Sequence, residues 1–105
     1  DLSKNTNLTN LILTDNFLTT LDLSKLTNLK TLRASYNNLV SLDVLSNKKL
    51  EWLYAPENSM LSISGIEAIE NKDATIDISH NKFSDPVKAY LANLLNIQGY
   101  EFLSF

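Results

Sequence analysis

At 105 residues the chain is long enough for one small domain, and an apolar fraction of 44% excludes a disordered segment. A formal charge of −3 argues against nucleic acid, because phosphate contacts need a clustered basic surface, and the Lys48-Lys49 pair reads as a solvated face. Without cysteine there is no disulfide framework and no thiolate metal site, and no apolar run approaches the ~20 residues of a membrane helix.

The chain opens in phase with a repeat. Asp1–Leu21 reads DLSKNTNLTNLILTDNFLTTL and Asp22–Leu42 reads DLSKLTNLKTLRASYNNLVSL. The two blocks are identical at 11 positions, where unrelated segments would share roughly one or two. No initiating Met or signal peptide stands at Asp1, which points to a mature product or an excerpt of a longer array. Leu11 and Leu13, two apart between polar neighbours, have strand periodicity, so a first strand is expected around Asn10–Leu13. Its outer edge is expected to be unpaired, with further repeats or a second copy of the chain covering it.

A third block, Asp43–Ile63, keeps the phase: Leu8, Leu29 and Leu50 coincide, as do Leu11, Leu32 and Leu53. Ala34 and Ala55 stand where Leu13 is expected to fill the core, which predicts a local cavity or flatter packing at that level. Met60 replaces the final leucine conservatively. Between Gly65 and Asn71 a helical turn would point Ile66 and Ile69 inward. The segment ATIDISHNKF then gives a fourth, degenerate unit, with Ile76, Ile78, Asn81 and Phe83 at the spacing of Leu11, Leu13, Asn16 and Leu18. Asp73 takes the first-leucine position there, so this strand is expected to begin later than the others.

The last segment reads as a cap. Ser84-Asp85-Pro86 is a helix start, with an oxygen side chain for the free amides and proline tolerated in the first turn. Val87, Tyr90, Leu91, Leu94 and Leu95 form an apolar stripe over a helix of about 86–97, and Gly99 is a plausible stop. Tyr100, Phe102, Leu103 and Phe105 of the tail are expected to pack against this cap.

The units fit L-x-x-L-x-L-x-x-N-x-L, and on that pattern residues 1–83 resemble the leucine-rich-repeat family. The D-L-S-K-x-T-x-L linkers are most similar to bacterial surface proteins of the internalin type. The resemblance implies an α/β fold: a right-handed leucine-rich-repeat solenoid with a short parallel sheet on its concave face. Residues 1–83 would be about four repeats and residues 84–105 a C-terminal helical cap. One unit cannot bury its leucines alone, whereas stacked neighbours share a continuous core, lined also by Leu18, Leu21, Leu23 and their equivalents. Asn16, Asn37, Asn58 and Asn81 form a column whose amides can bond backbone groups left free where each strand bends away; the role expected of them is structural.

Alternation sends the paired leucines inward and four columns toward the concave side. They are Asn10, Thr31, Trp52 and Thr75; Ile12, Arg33, Tyr54 and Asp77; Thr14, Ser35, Pro56 and Ser79; and Asp15, Tyr36, Glu57 and His80. Trp52, Tyr54, Tyr36 and Arg33, with Ile12, Glu57, Asp77 and His80, are the candidate binding residues, because Trp, Tyr and Arg combine contact area with a polar handle. The plainer alternative has Trp52 and Tyr54 packing on each other or on the cap.

Catalysis is not expected. His80 is the only histidine, no cysteine is available as nucleophile, and Gly65 and Gly99 alone cannot build a phosphate loop. Asp77, His80 and Glu57 match no strong metal-ligand spacing, so neither metal nor cofactor is expected. The resemblance implies protein recognition at an extracellular or cell-surface location, although a cysteine-free chain suits the cytoplasm equally well. A glycan-binding module and a spacer without a ligand are the alternatives.

Overall fold

Each repeat sets a leucine or isoleucine between two outward-facing residues, and each such triplet becomes a three-residue strand. The computed structural model describes all 105 residues. In chain order the elements are β1 (Asn10–Ile12), β2 (Thr31–Arg33), β3 (Ser41–Asp43), β4 (Trp52–Tyr54), β5 (Ser62–Ser64), β6 (Thr75–Asp77), α1 (Asp85–Asn96) and β7 (Leu103–Ser104). A 3₁₀ turn, Ile66–Ala68, lies between β5 and β6.

One parallel sheet runs β1-β2-β4-β6-β7, and a second parallel pair joins β3 to β5. The main register follows the repeat: Leu11, Leu32, Leu53 and Ile76 stand side by side. The fourth strand does not begin late. Thr75 pairs with Trp52 as Trp52 pairs with Thr31. Ala74, buried ahead of it, supplies the apolar contact that exposed Asp73 does not. The two extra residues of the preceding connection are absorbed around the 3₁₀ turn, where Ile66 and Ile69 are buried.

Twenty-four buried apolar residues form a single core. Leu29, Leu50, Leu39, Met60, Leu32 and Leu53 are covered completely, while Leu11 of the first strand sits nearer the surface. Ala34 and Ala55 are equally covered. Leu18 and Leu21 of the first unit are only half-buried, unlike Leu39 and Leu42 of the second. β3 and β5 form where Leu42 and Ile63 turn inward on the far side of the solenoid, with Leu42 opposite Ile63.

Gly65 permits the two stacked turns to touch. Its φ is +89°, and a Cβ there would lie 2.3 Å from the Leu45 amide nitrogen, so both conformation and clearance require glycine.

The C-terminal end closes differently from the sequence expectation. α1 buries Leu91 and Leu94, but the N-cap residue Ser84 makes no side-chain capping bond. After Gly99 (φ +84°) the chain turns back, and Leu103 pairs with Ile76 as a fifth strand. Tyr100 and Leu103 are buried, whereas Phe102 and Phe105 are 54% and 41% exposed and do not pack into the cap. They flank the new strand, and the alternation that buries Leu103 turns Phe102 outward.

Candidate binding face

The column of asparagines fixes where each strand ends. Asn37 Nδ2 donates to the Leu13 carbonyl of the unit before (2.9 Å) and to Ala34 O (3.2 Å), while its Oδ1 accepts from Leu18 N–H (3.1 Å). Asn58 repeats this with Ala34 O, Ala55 O and Leu39 N–H, and Asn81 with Ala55 O, Ile78 O and Met60 N–H. Asn16 donates only within its own unit, to Leu13 O and Thr14 O. A further asparagine stands outside this column, at the position held by Asn5 and Leu26 in the earlier units. Asn47, fully buried, donates to Leu23 O (3.1 Å) and Leu26 O (2.9 Å), and its Oδ1 has no partner.

The residue before each column asparagine is left-handed. Asp15, Tyr36, Glu57 and His80 have φ of 59°, 56°, 56° and 55°. Such a conformation costs an ordinary side chain roughly 1–2 kcal/mol, and here it is repeated in every unit by the same bend. Three of the amides concerned continue the ladder beyond the strands: Asp15 N–H to Ser35 O (3.1 Å), Tyr36 N–H to Pro56 O (3.3 Å) and Glu57 N–H to Ser79 O (3.2 Å). The fourth column therefore stands in register although Tyr36 and His80 share no chemistry with its two carboxylates.

On the face so built, Asn10, Thr31, Trp52 and Thr75 line up, and so do Ile12, Arg33, Tyr54 and Asp77. Ser104 extends the second line beyond Asp77. Trp52 is 45% exposed, Ile12 59% and Tyr36 58%. Trp52 and Tyr54 do pack on each other, with ring centroids 6.0 Å apart and planes at 24°, but they do so on the outward side. The Arg33 guanidinium carbon lies 5.6 Å from the Tyr54 ring centroid, a cation–π distance. Trp52, Tyr54 and Arg33 thus form one continuous surface. Tyr36 shares their side of the molecule at the bend, without a ring contact to them.

The acidic members are arranged otherwise. Asp77 Oδ1 accepts from the amide and the hydroxyl of Ser79, at 3.0 and 2.6 Å, and so braces its own turn. His80 Nδ1 lies 4.0 Å from Glu57 Oε1, both well exposed, a geometry in which an ion pair contributes little. Asp77, His80 and Glu57 do not assemble into a group able to hold a metal ion. Asp15 is exposed at the opposite end of its column.

This geometry has a solved counterpart. The chain is similar over 99% of its length to a structure described as the functional domain of InlJ from Listeria monocytogenes, which includes a cysteine ladder, with a TM-score of 0.71 and 23% identity. The fold is a leucine-rich-repeat solenoid. The chain spans 26% of the InlJ chain it matches. Where the description of InlJ names a cysteine ladder, this sequence has no cysteine, and the polar side chain that recurs in its units is asparagine. No family model matches the chain, and no curated protein matches it.

Proposed function

We propose that this solenoid is a protein-recognition module, part of a bacterial surface or secreted protein, that engages its partner through the concave sheet. The observation that carries the reading is the exposed Trp52–Tyr54 pair with Arg33 laid on it, in the middle of a five-stranded sheet. Large aromatic and guanidinium groups held rigid before contact lose little entropy on binding. The likeness to the InlJ domain supports a recognition module at the level of the fold, and the D-L-S-K linkers support the bacterial surface assignment. A binding role also accords with the residues at hand, since the single histidine is exposed beside Glu57 and no thiol is present.

Five strands at about 4.8 Å spacing and five residues of about 3.3 Å each project to roughly 400 Å², half of one partner's share in a standard interface. Affinity of this chain by itself is therefore expected to be modest, with the aromatic pair dominating it. A panel of purified extracellular proteins displayed on an array, probed with the wild-type chain and with Trp52→Ala and Tyr54→Ala, tests the assignment. Each substitution is expected to weaken capture at least about tenfold while leaving the thermal midpoint unchanged. Retained capture by both folded variants places the contact elsewhere. A glycan array probed in parallel separates the sugar-binding alternative, which predicts Trp52 fluorescence quenching by oligosaccharide.

A further inference from the structure

Beside the aromatic pair lies a hollow of about 400 Å³ lined by Thr14, Arg33, Ser35, Tyr54 and Pro56. From its chemistry we propose that it receives one carboxylate side chain, aspartate or glutamate, from a segment of the protein partner. The inference rests on the concave sheet being the recognition surface, and it names what that surface selects.

Arg33 extends from β2 beside Tyr54 of β4, its register partner, and the Tyr54 ring gives the guanidinium a fixed seat. The molecule's one ion pair joins His80 to Glu57, so Arg33 has no carboxylate of its own chain within 4.0 Å. Thr14 and Ser35 commit their backbone carbonyls to Asn16 Nδ2 (3.2 Å) and Asn37 Nδ2 (3.4 Å), and no other group holds their hydroxyls. The hollow accordingly offers a planar fork of N–H donors with hydroxyl groups beside it. A carboxylate, planar and with two acceptor oxygens, matches that fork in bidentate fashion.

The surrounding charge selects the anion. Arg33 is the one fixed cation in the four columns, and Asp15, Glu57 and Asp77 lie on the same face. A phosphoryl group with nearly two negative charges meets three carboxylates there, and a monoanion meets much weaker repulsion. The exposed part of Trp52 is left for an apolar residue adjacent to the acid.

The probe is an N-acetylated, C-amidated octapeptide carrying one Glu among neutral and leucine residues. Its counterparts carry Gln or phosphoserine at the same place, and a glucuronic acid oligosaccharide serves as the sugar arm. Readouts are Trp52 fluorescence and the Arg33 Nε–Hε resonance of the whole chain. The Glu peptide should bind about tenfold more tightly than the Gln peptide. Raised salt should shrink that preference, and Arg33→Gln should abolish it. Arg33 is exposed, so the variant should melt with the wild-type protein. Equal binding of Glu and Gln peptides, a preference that survives Arg33→Gln, or tighter binding of phosphoserine or glucuronate overturns the acid anchor and leaves the concave face standing as a recognition surface. If no probe shifts either signal, and Trp52→Ala captures array partners as the wild type does, both readings fail.

Discussion

At the scale of single residues, the asparagine column holds neighbouring units together as well as shaping turns. Asn58 donates to three carbonyls of two units and supplies the sole acceptor shown for the buried Leu39 amide. Asn58→Ala leaves the Leu39 amide unpaired inside the molecule, whereas Ala34 O, Ala55 O and Pro56 O keep donors in Asn37, Asn81 and the Tyr36 amide. An unmet buried donor costs about 1–3 kcal/mol. Thermal unfolding should show Asn58→Ala melting on the order of 10 °C below the wild type. Asn16→Ala, which breaks bonds only within its own exposed turn, should shift the midpoint by a third of that or less. Equal shifts for the two would mean that the cross-unit bonds are not what the column contributes. The sequence displayed this column openly, because identical residues recurred at the same phase. It hid the left-handed residues beside it, since Asp, Tyr, Glu and His carry no common signature and none is glycine. Asn47 carries no such signal, because its position alternates between Asn5, Leu26 and Asn47 and so has no constant polarity.

Among the elements, the main-sheet strands that carry the recurring leucine pair could be read in the sequence. β1, β2, β4 and β6 lie where the recurring leucines put them, and α1 starts and ends one residue earlier than its stripe and proline implied. β3 and β5 keep the same 21-residue spacing, but the equivalent Leu21 forms no strand, so the repeat by itself does not separate a strand from a core-lining loop there. β7 was out of reach for a different reason. A helix intervenes between Ile76 and Leu103, so the period that announced every earlier rung is lost. Without β7 the sequence places Phe102 with the cap, whereas the strand turns it outward on its flank. The binding face was legible as four columns, but not the cation–π seat of Arg33, which depends on side-chain torsions.

The cap also carries a pH response. Burial, and then the bond donated to the Glu67 carboxylate, push the Tyr90 hydroxyl well above its usual range. Burial, followed by the nearby Glu67 charge, likewise raises Tyr100, whose hydroxyl donates to Ile69 O (2.7 Å). For an acid whose folded pKa is raised, the unfolded chain loses the proton first. The contribution is complete below the unfolded value near 10 and fades as pH climbs through the folded one. Urea midpoints should therefore decline above about pH 10, and the Tyr90→Phe, Tyr100→Phe double variant should decline less steeply. Parallel declines would show that other groups set the alkaline limit.

Across the whole molecule, the two ends of the stack are unequal. At one end α1, Tyr100 and β7 cover the last repeat. At the other, Leu2, Leu13, Leu18 and Leu21 line an open hollow of about 330 Å³, and β1 pairs on one side only. Stability in a stacked array is close to a sum of units and junctions, so the unit with fewest junctions opens first. Drawn apart by its ends in an optical trap, the chain should yield in steps from the Asp1 side. Each step should release about 7 nm of contour, the extended length of one turn. A single all-at-once rupture would contradict this order. The asparagine rungs then act as a pawl under tension: Asn37 grips the first turn through Leu13 O and Leu18 N–H, and it must let go before the second turn feels any load.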